Sequence, residues 1–166
     1  FESGSTPRDL TLSEKQDPNF QIRSRYYVAE SEVRRRVPAF WKHQWFIGFR
    51  NIARATDERT AIFDIVPFTG IGHSAPLVFI ESRRTDLSIL LTSCLTTLSF
   101  DYCVRQKLGG TNMTYGYLRQ FPAIPPSAFS EADIRFIIPR AFEFLYTSNT
   151  LKPLASDLWN QIDYSI

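Results

Sequence analysis

The segment WFIGFRNIARATDERTAIFDIV, residues 45–66, contains two short runs rich in aromatic and β-branched residues, separated by a loop with three arginines. Residues 45–49 and 61–66 each have the length and composition of a β-strand. Residues 76–80 form a third such run after a turn at 67–72. Together these runs predict a small sheet built from short strands.

The hydrophobic period changes after this sheet. From Leu87 to Tyr102, apolar residues recur at steps of three and four, which is the spacing of one helical face. Thr85 or Asp86 is placed to cap the start of this helix, and it should end near Lys107, before two glycines. We therefore predict one long helix packed on the sheet.

The residues before the sheet form the least regular part of the sequence. Residues 1–24 are polar and rich in Ser, Asp, Pro and Thr, which predicts a linker or a loosely held N-terminal arm. Residues 26–28 are expected to begin a strand, and residues 30–37 to form a short charged helix that Pro38 stops. Because the chain starts with Phe1 rather than Met, we expect it to be a fragment of a longer chain.

The residues after the sheet are predicted to be helical. Ser130 and Asp133 have the spacing of a capping box, and Pro139 predicts a kink or a restart in the helix that follows. The predicted fold class is α/β (mixed α+β), with a short-stranded mixed sheet, a long packed helix and a C-terminal helical arm. We expect a globular domain at residues 25–126 and the helical arm at residues 127–166.

Charge and composition restrict the classes of function. The net charge of +2 is too small to indicate nucleic-acid binding by itself, but residues 21–54 carry eight basic residues against two acidic ones. Fifteen of the nineteen basic residues are arginines, whose planar fork suits phosphate oxygens and guanine edges. Two cysteines without CxxC spacing and two distant histidines favour buried free thiols and predict no metal site. No run of ~18 apolar residues predicts a membrane-spanning helix, so we expect a cytoplasmic protein without a membrane partner.

Several polar side chains fall at predicted strand ends and loops, where they could converge on one rim of the sheet. The basic ones would contact phosphates and some bases, while a Thr-Asn pair and a tyrosine would line the same groove. The predicted DNA-binding residues are Arg34, Arg35, Arg36, Lys42, Arg54, Arg59, Arg83, Arg84, Thr111, Asn112 and Tyr115. The alternative for any one arginine is a surface ion pair, for example with Asp57 or Glu58, contributing about 0 to 1 kcal/mol.

One glycine pattern suggests a cofactor loop. Phe68-Thr69-Gly70-Ile71-Gly72 follows an apolar strand and matches the FxGxG turn that approaches S-adenosylmethionine in methyltransferases. A cofactor loop of that kind should lead into a helix, whereas Pro76 and another strand follow here. The catalytic [DNS]-P-P-[YF] tetrapeptide of adenine methyltransferases is also absent from the sequence. We therefore interpret this segment as a turn and predict no catalytic residue in the chain.

The block RNIARATDERT at residues 50–60 is very similar to the RDIARxTDERT block that follows the catalytic domain in Type IIG and Type I-like N6-adenine DNA methyltransferases. The resemblance covers residues 44–158. It departs from the family at Asn51, where Asp is common, and at residues 72–76, which match loosely. It continues through FDYCVRQKLGGTN at residues 100–112, LRQFPAIPP at 118–126, FEFLYTS at 142–148 and LASDL at 154–158.

The resemblance implies that residues 25–126 are an α/β target-recognition domain of a bacterial restriction-modification enzyme. Such a domain binds double-stranded DNA and presents the target adenine to an N-terminal methyltransferase domain of the same parent chain. That catalytic domain, which uses S-adenosylmethionine, would lie outside this sequence, and some relatives also carry a nuclease. The fragment itself would have no enzymatic activity and no cofactor. Because related enzymes with different targets share the block at residues 50–60, it implies loop positioning or phosphate contact rather than base readout.

Two other functions remain open at this stage. In the first, the chain is a protein-interaction or scaffold domain that docks a partner subunit through Trp41, Trp45, Phe46 and the arm that starts at Ser130. In the second, the chain is a stand-alone methyltransferase, which would require the turn at residues 68–72 to bind S-adenosylmethionine.

Overall fold

The computed structural model describes residues 8–162. The first seven residues of the predicted linker at residues 1–24 lie outside the described residues, as do residues 163–166. Within that range the chain forms seven α-helices and three β-strands, with two short 3₁₀ turns near residues 127 and 150. In chain order they are α1 (Leu12–Gln16), α2 (Glu30–Arg36), β1 (Trp45–Phe49), β2 (Phe63–Pro67), β3 (Leu77–Val78), α3 (Thr85–Leu95), α4 (Leu98–Lys107), α5 (Tyr115–Leu118), α6 (Glu131–Leu145) and α7 (Lys152–Ile162).

The three strands form one sheet in the order β2-β1-β3. On β1, Ile47 lies opposite Ile65 of β2 on one side and opposite Val78 of β3 on the other. The mixed α/β class and the short strands are confirmed, but both pairings are antiparallel, so the sheet is not mixed. Strand β1 has the predicted bounds, and β3 is shorter than the predicted run at residues 76–80.

Strand β1 is buried along its whole length because a hydrophobic cluster packs around each of its ends. The first cluster surrounds Trp45 and Phe46 and includes residues of α3, α6 and α7. The second surrounds Phe49 and includes Phe63 of β2, residues of α4, and Met113. The helices after residue 126 therefore bury apolar side chains in the same cluster as the sheet. The predicted division into an arm, a domain and a helical arm stays a prediction.

Polar atoms as well as apolar ones attach α7 to β1. The Asp157 carboxylate accepts a hydrogen bond from Trp45 Nε1 at 2.9 Å and pairs with His43 Nδ1 at 2.8 Å. The His43 ring stacks on Trp45, with 4.4 Å between the ring centroids, and Trp41 contacts both rings edge-on. Trp41, Trp45 and Phe46 are all buried, so they do not form the exposed aromatic surface that the docking alternative requires.

The predicted long helix is two helices, α3 and α4, with a bend of 60° between them. The break occurs at Thr96 and Thr97, whose hydroxyls donate to the carbonyls of Ser93 and Cys94 at 2.8 Å each. The Thr97 hydroxyl also accepts from Phe100 N and caps the start of α4. Threonine side chains that bond nearby backbone in this way compete with helix continuation, which explains the break.

One of the other predictions about helix ends needs correction. Helix α3 starts after Arg84 with no side-chain hydrogen bond at its cap, so neither Thr85 nor Asp86 caps it. In α6 the predicted capping box of Ser130 and Asp133 is confirmed, with Asp133 N donating to Ser130 Oγ at 3.2 Å. Pro139 lies inside α6 without restarting it, and the helix continues to Leu145.

The N-terminal residues cross the turn at residues 68–72 instead of adding a strand at residues 26–28. A Cβ atom placed on Gly70 would lie 2.3 Å from Val28 Cγ1 and 3.9 Å from Val33 of α2. Glycine at position 70 therefore permits the close approach of Val28, and the turn is covered by the chain's own N-terminal segment. Helix α2 ends at Arg36, before Pro38, as predicted.

Among residues 8–162, no single helix is both long and apolar enough to cross a membrane. Helices α3 and α4 meet those criteria only when they are taken together across their bend.

Candidate nucleic-acid interface

The arginine loop, residues 50–62 between β1 and β2, is held from beneath by Asp101 of α4. The Asp101 carboxylate is buried and accepts hydrogen bonds from Ala61 N at 2.7 Å and from Thr60 N at 2.8 Å. Its other oxygen accepts from Arg105 Nε at 2.7 Å. Burial alone would raise the pKa of Asp101, but these hydrogen bonds outweigh it and lower the pKa below its ordinary value. The carboxylate of Asp101 that makes these hydrogen bonds is therefore the charged form.

Two arginines hold the same loop through its backbone carbonyls and side chains. Arg105 donates to Ala55 O at 3.1 Å and also to Glu58 O. Arg50 donates to the Asp57 carboxylate at 2.9 Å and to Arg59 O at 2.5 Å. These bonds hold the loop at residues 55–59.

Arg59, a predicted DNA contact, belongs to this internal network. Its Nη2 donates to Thr96 O at 2.6 Å, and its Nε lies 3.7 Å from the Asp101 carboxylate. Arg59 therefore ties the loop to the junction of α3 and α4. Arg54 differs, because its side chain is exposed and has no ion pair or hydrogen bond within residues 8–162.

Arg54, Thr111, Asn112 and Tyr115 lie at one end of the sheet, which we name the loop-end surface. Ala53 N donates to Thr111 O at 3.0 Å, and Ile52 forms a β-bridge with Asn112. The residue before Arg54 is therefore bonded directly to the Thr-Asn segment. The side chains of Arg54, Thr111 and Asn112 are exposed.

Tyr115 contributes a half-exposed ring to this surface. Its hydroxyl donates to Leu77 O at 2.9 Å and accepts from Leu77 N at 3.1 Å, which attaches α5 to β3. Its ring packs edge-on against Phe49. A cavity of about 430 Å³ lies beside Tyr115, and Asn51 and His73 are among its lining residues. The loop-end surface thus combines one unpaired cation, two small polar side chains and an aromatic edge.

Arg34, Arg35, Arg36 and Lys42 lie near the opposite end of β1, and the three arginines are ion-paired within α2. Arg34 pairs with Glu30 at 2.5 Å, donates to Gln44 at 2.9 Å and covers the Phe68 ring at 4.7 Å. Arg35 and Arg36 share the Glu32 carboxylate at 2.6 Å each, and hydrogen bonds from Arg36 and Arg35 lower the pKa of Glu32. Lys42 is exposed.

Arg83 and Arg84 lie at a third location, immediately before the start of α3. Arg84 is ion-paired with Asp86, and this pair raises the pKa of Arg84. The Arg83 side chain is exposed, while its carbonyl accepts from Gln161 Nε2 at 2.6 Å. Apart from Arg59, the predicted contact residues therefore occupy three separate places, and only one of these contains the Thr-Asn pair. Their expected convergence on one rim is wrong, and their contact with DNA stays a prediction.

The sequence interpretation missed the two residues that hold the loop, Asp101 and Arg105. The available signal was their spacing of four on the predicted helix, which places an acid and a base on one face. Nothing in the sequence showed that this face points inward under the loop.

The exposed polar groups of the loop-end surface are the Arg54 guanidinium, the Thr111 hydroxyl and the Asn112 amide. Among the described residues, no group of three or more His, Cys, Asp or Glu side chains is positioned to hold a metal ion. Burial raises the pKa of the Cys94 thiol, which disfavours a reactive thiolate there. No family model matches the chain, and neither does any curated protein or solved structure.

Proposed function

We propose that this chain is the DNA sequence-recognition domain of a restriction-modification N6-adenine DNA methyltransferase. In this proposal it binds duplex DNA in the cytoplasm and presents the target adenine to a catalytic domain outside this chain. The fragment contributes binding and has no catalytic role, while S-adenosylmethionine is bound by the parent's methyltransferase domain.

The observation that carries the proposal is the unpaired Arg54 side chain on a loop whose backbone is fixed from within. A preformed loop loses little conformational entropy on binding, so an exposed arginine on it can contact phosphate at low cost. Thr111 and Asn112, joined to the same loop through Ala53, supply hydroxyl and amide groups that bind phosphates or base edges.

The internal hydrogen bonds support two different roles for the arginines, one in shaping the loop and one in contacting DNA. Arg50, Arg59 and Arg105 each donate a hydrogen bond to a backbone carbonyl of the protein, so we assign them to shaping the loop. Arg54 and the exposed Lys42 and Arg83 are assigned to the DNA phosphates. The arginines of α2 and Arg84 would contact DNA only by exchanging their carboxylate partners, and they are secondary contacts in this proposal.

The test is fluorescence anisotropy with a labelled random-sequence duplex at about 50 mM and about 200 mM salt. We expect affinity to fall steeply with salt, with a log-log slope of about −0.9 for each phosphate neutralised. Arg54→Ala should weaken binding and reduce the slope by about 0.9. Arg135→Ala is the matched control, because Arg135 is an exposed arginine of α6 paired with Glu131 and far along the chain from the loop.

Unchanged binding of Arg54→Ala in a folded protein would remove Arg54 from the contact surface. A wild-type chain that fails to bind duplex DNA even at low salt would contradict the proposal for this fragment and favour a partner-docking role.

A further inference from the structure

The cavity beside Tyr115 has the size and the walls of a site for a flat ring. Its volume of about 430 Å³ falls within the range of about 300 to 1,000 Å³ that is usual for small-molecule sites. It is lined by Tyr115 and by the apolar residues Ile71, Pro76 and Leu77. The Tyr115 ring is 48% exposed and is held by its hydroxyl bonds to Leu77 and its edge-on contact with Phe49. An aromatic plane is therefore fixed at the cavity before any ligand binds.

Asn51 supplies this cavity with a hydrogen-bond acceptor that the protein does not use. Its Oδ1 atom is buried and has no hydrogen-bond partner among residues 8–162. Its Nδ2 atom donates to His73 O at 3.3 Å, which is long for an N–H···O bond. A small turn of this amide toward the cavity that it lines therefore costs little, and it presents Oδ1 to a donor there. Because buried polar atoms are nearly always paired, the unpaired Oδ1 is suited to a ligand that carries an N–H group.

The cavity adjoins the loop-end surface. Asn51 O accepts from Met113 N at 2.7 Å, immediately after the Thr-Asn pair of that surface, and Asn51 N donates to Ser74 O at 3.0 Å. The backbone of Asn51 therefore joins two segments that line the cavity, one through His73 and the other through Thr114. The side chains of His73 and Thr114 are exposed, and their imidazole and hydroxyl groups can bond a sugar or a phosphate. The cavity is thus continuous with the proposed DNA contacts.

We propose that this cavity binds a single unstacked nucleobase, with one face of the base against the Tyr115 ring and one N–H group donating to Asn51 Oδ1. Every base carries such an N–H group on its pairing edge, on an exocyclic amine or on the ring, and this edge is free only when the base is unpaired. Stacking on an aromatic side chain together with hydrogen bonds to the pairing edge is the common way in which proteins bind unstacked bases.

The expected source of the base is duplex DNA, and in this respect the inference rests on the proposed function. An unpaired base of DNA bound at the loop-end surface would leave the stack and enter the cavity, separately from the target adenine that the catalytic domain receives. Because an unpaired base costs less to extrude than a paired one, the chain should prefer DNA that contains one. A free nucleoside offers the same ring and the same edge and is the second possible source.

The first experiment compares three labelled duplexes by fluorescence anisotropy with the full chain. One is fully paired, one has a thymine that faces an abasic site, and one has abasic sites at both of these positions. We expect the duplex with the unpaired thymine to bind about tenfold more tightly than the other two, because no base pair has to be broken to fill the cavity. The doubly abasic duplex controls for the flexibility of the damaged site. Thymidine and adenosine alone are tested by saturation-transfer NMR at up to about 10 mM.

Protein variants locate the site. Asn51→Leu removes the amide at similar volume, and it should abolish the preference for the unpaired thymine while the fully paired duplex binds as before. It also removes an unpaired buried acceptor, so the protein should remain as stable as the wild type. Ala75→Leu adds volume at the wall of the cavity and should abolish the same preference. Asn160→Leu is the matched control, because it changes an exposed asparagine of α7 outside the cavity.

The outcomes separate this site from the proposed function. Equal binding of all three duplexes, with no nucleoside binding up to about 10 mM, would overturn the nucleobase site and leave DNA recognition intact. A preference or a nucleoside affinity that persists in both Asn51→Leu and Ala75→Leu would also overturn it, because the base would then bind elsewhere.

The nucleosides distinguish the two sources of the base. Nucleoside binding that Asn51→Leu abolishes, without a preference among the duplexes, would keep the site and assign it to a free nucleoside. If no duplex binds at all, the proposed function fails for this fragment, and the nucleosides alone decide. Binding that Asn51→Leu abolishes then supports the site, and its absence up to about 10 mM overturns it.

Discussion

The Asp101 carboxylate and the Arg105 guanidinium form an ion pair one turn apart on α4, with 2.7 Å between Oδ2 and Nε, directly beneath the arginine loop. Asp101 also accepts two backbone N–H groups of the loop, and Arg105 also donates to two of its carbonyls. A single pair of side chains on a helix therefore satisfies four backbone groups of a segment about forty to fifty residues earlier in the chain. The loop is thus shaped by a helix that follows it.

Removal of Asp101 tests this relationship. Asp101→Ala should lower the free energy of unfolding by about 3 kcal/mol, because it leaves Thr60 N, Ala61 N and Arg105 without their partner. Urea unfolding measures the change. The matched control is Glu131→Ala, which removes the acid of another i,i+4 pair with arginine on an exposed helix face and should leave stability close to that of the wild type. Equal effects of the two substitutions would show that the loop does not depend on Asp101.

The stability that Asp101 contributes should depend on pH. Its folded pKa is lowered, so the contribution is fully present above the unfolded pKa of about 3.9 and is lost as pH falls through the folded pKa. The difference in unfolding free energy between wild type and Asp101→Asn should stay constant from pH 7 to about pH 5 and shrink below about pH 4. Urea titrations across this range measure it. A difference that grows on acidification would contradict the assigned sign.

Arg54 and Arg59 should behave differently although they lie in one loop. Arg59→Ala should lower the free energy of unfolding by about 1 to 3 kcal/mol, because it removes the hydrogen bond to Thr96 O and an ionic contact with Asp101. Arg54→Ala should leave stability unchanged and reduce DNA affinity alone. Thermal unfolding combined with duplex binding separates the two roles. Loss of stability in Arg54→Ala would show that its side chain also supports the fold.

Because Val28 lies close to Gly70, we expect an added methyl group to destabilise the protein at position 70 but not at position 72. Gly70→Ala should destabilise the protein by about 1 kcal/mol, because the added Cβ would lie 2.3 Å from Val28 Cγ1 and the N-terminal segment must move. Val28→Ala in the same chain should restore part of the loss. Gly72→Ala is the control, since nothing lies within 4 Å of a Cβ at that position. Urea unfolding and tryptic cleavage after Arg23 and Arg25 measure stability and release of the segment.

Removal of the Asp157 carboxylate tests how strongly α7 stabilises the sheet. Asp157→Ala should cost about 1 to 3 kcal/mol, because the N–H of the buried Trp45 loses its acceptor. Asp157→Asn retains an acceptor oxygen and should cost less. Thermal unfolding followed by tryptophan fluorescence measures both. Equal losses would indicate that the negative charge, through His43, matters more than the acceptor.

The pattern of the sequence was sufficient for elements that local interactions determine. The bounds of β1, the end of α2 before Pro38, and the Ser130–Asp133 capping box follow from composition, proline geometry and hydrogen bonds across three residues. The break between α3 and α4 was missed although its cause is local. Thr96 and Thr97 fall within a continuous apolar period, which conceals the competing hydroxyl bonds.

The sequence by itself determined a small, aromatic-rich α/β chain with an arginine loop between its first two strands. The tertiary structure decided which charges are available, because an arginine's role depends on the carbonyl or carboxylate that folding brings beside it. Arg54 and Arg59 have similar surroundings in sequence, but α4 and the end of α3 engage Arg59 and leave Arg54 exposed. The position of β2 at the edge of the sheet likewise follows from strand order, which depends on contacts between segments far apart in the chain.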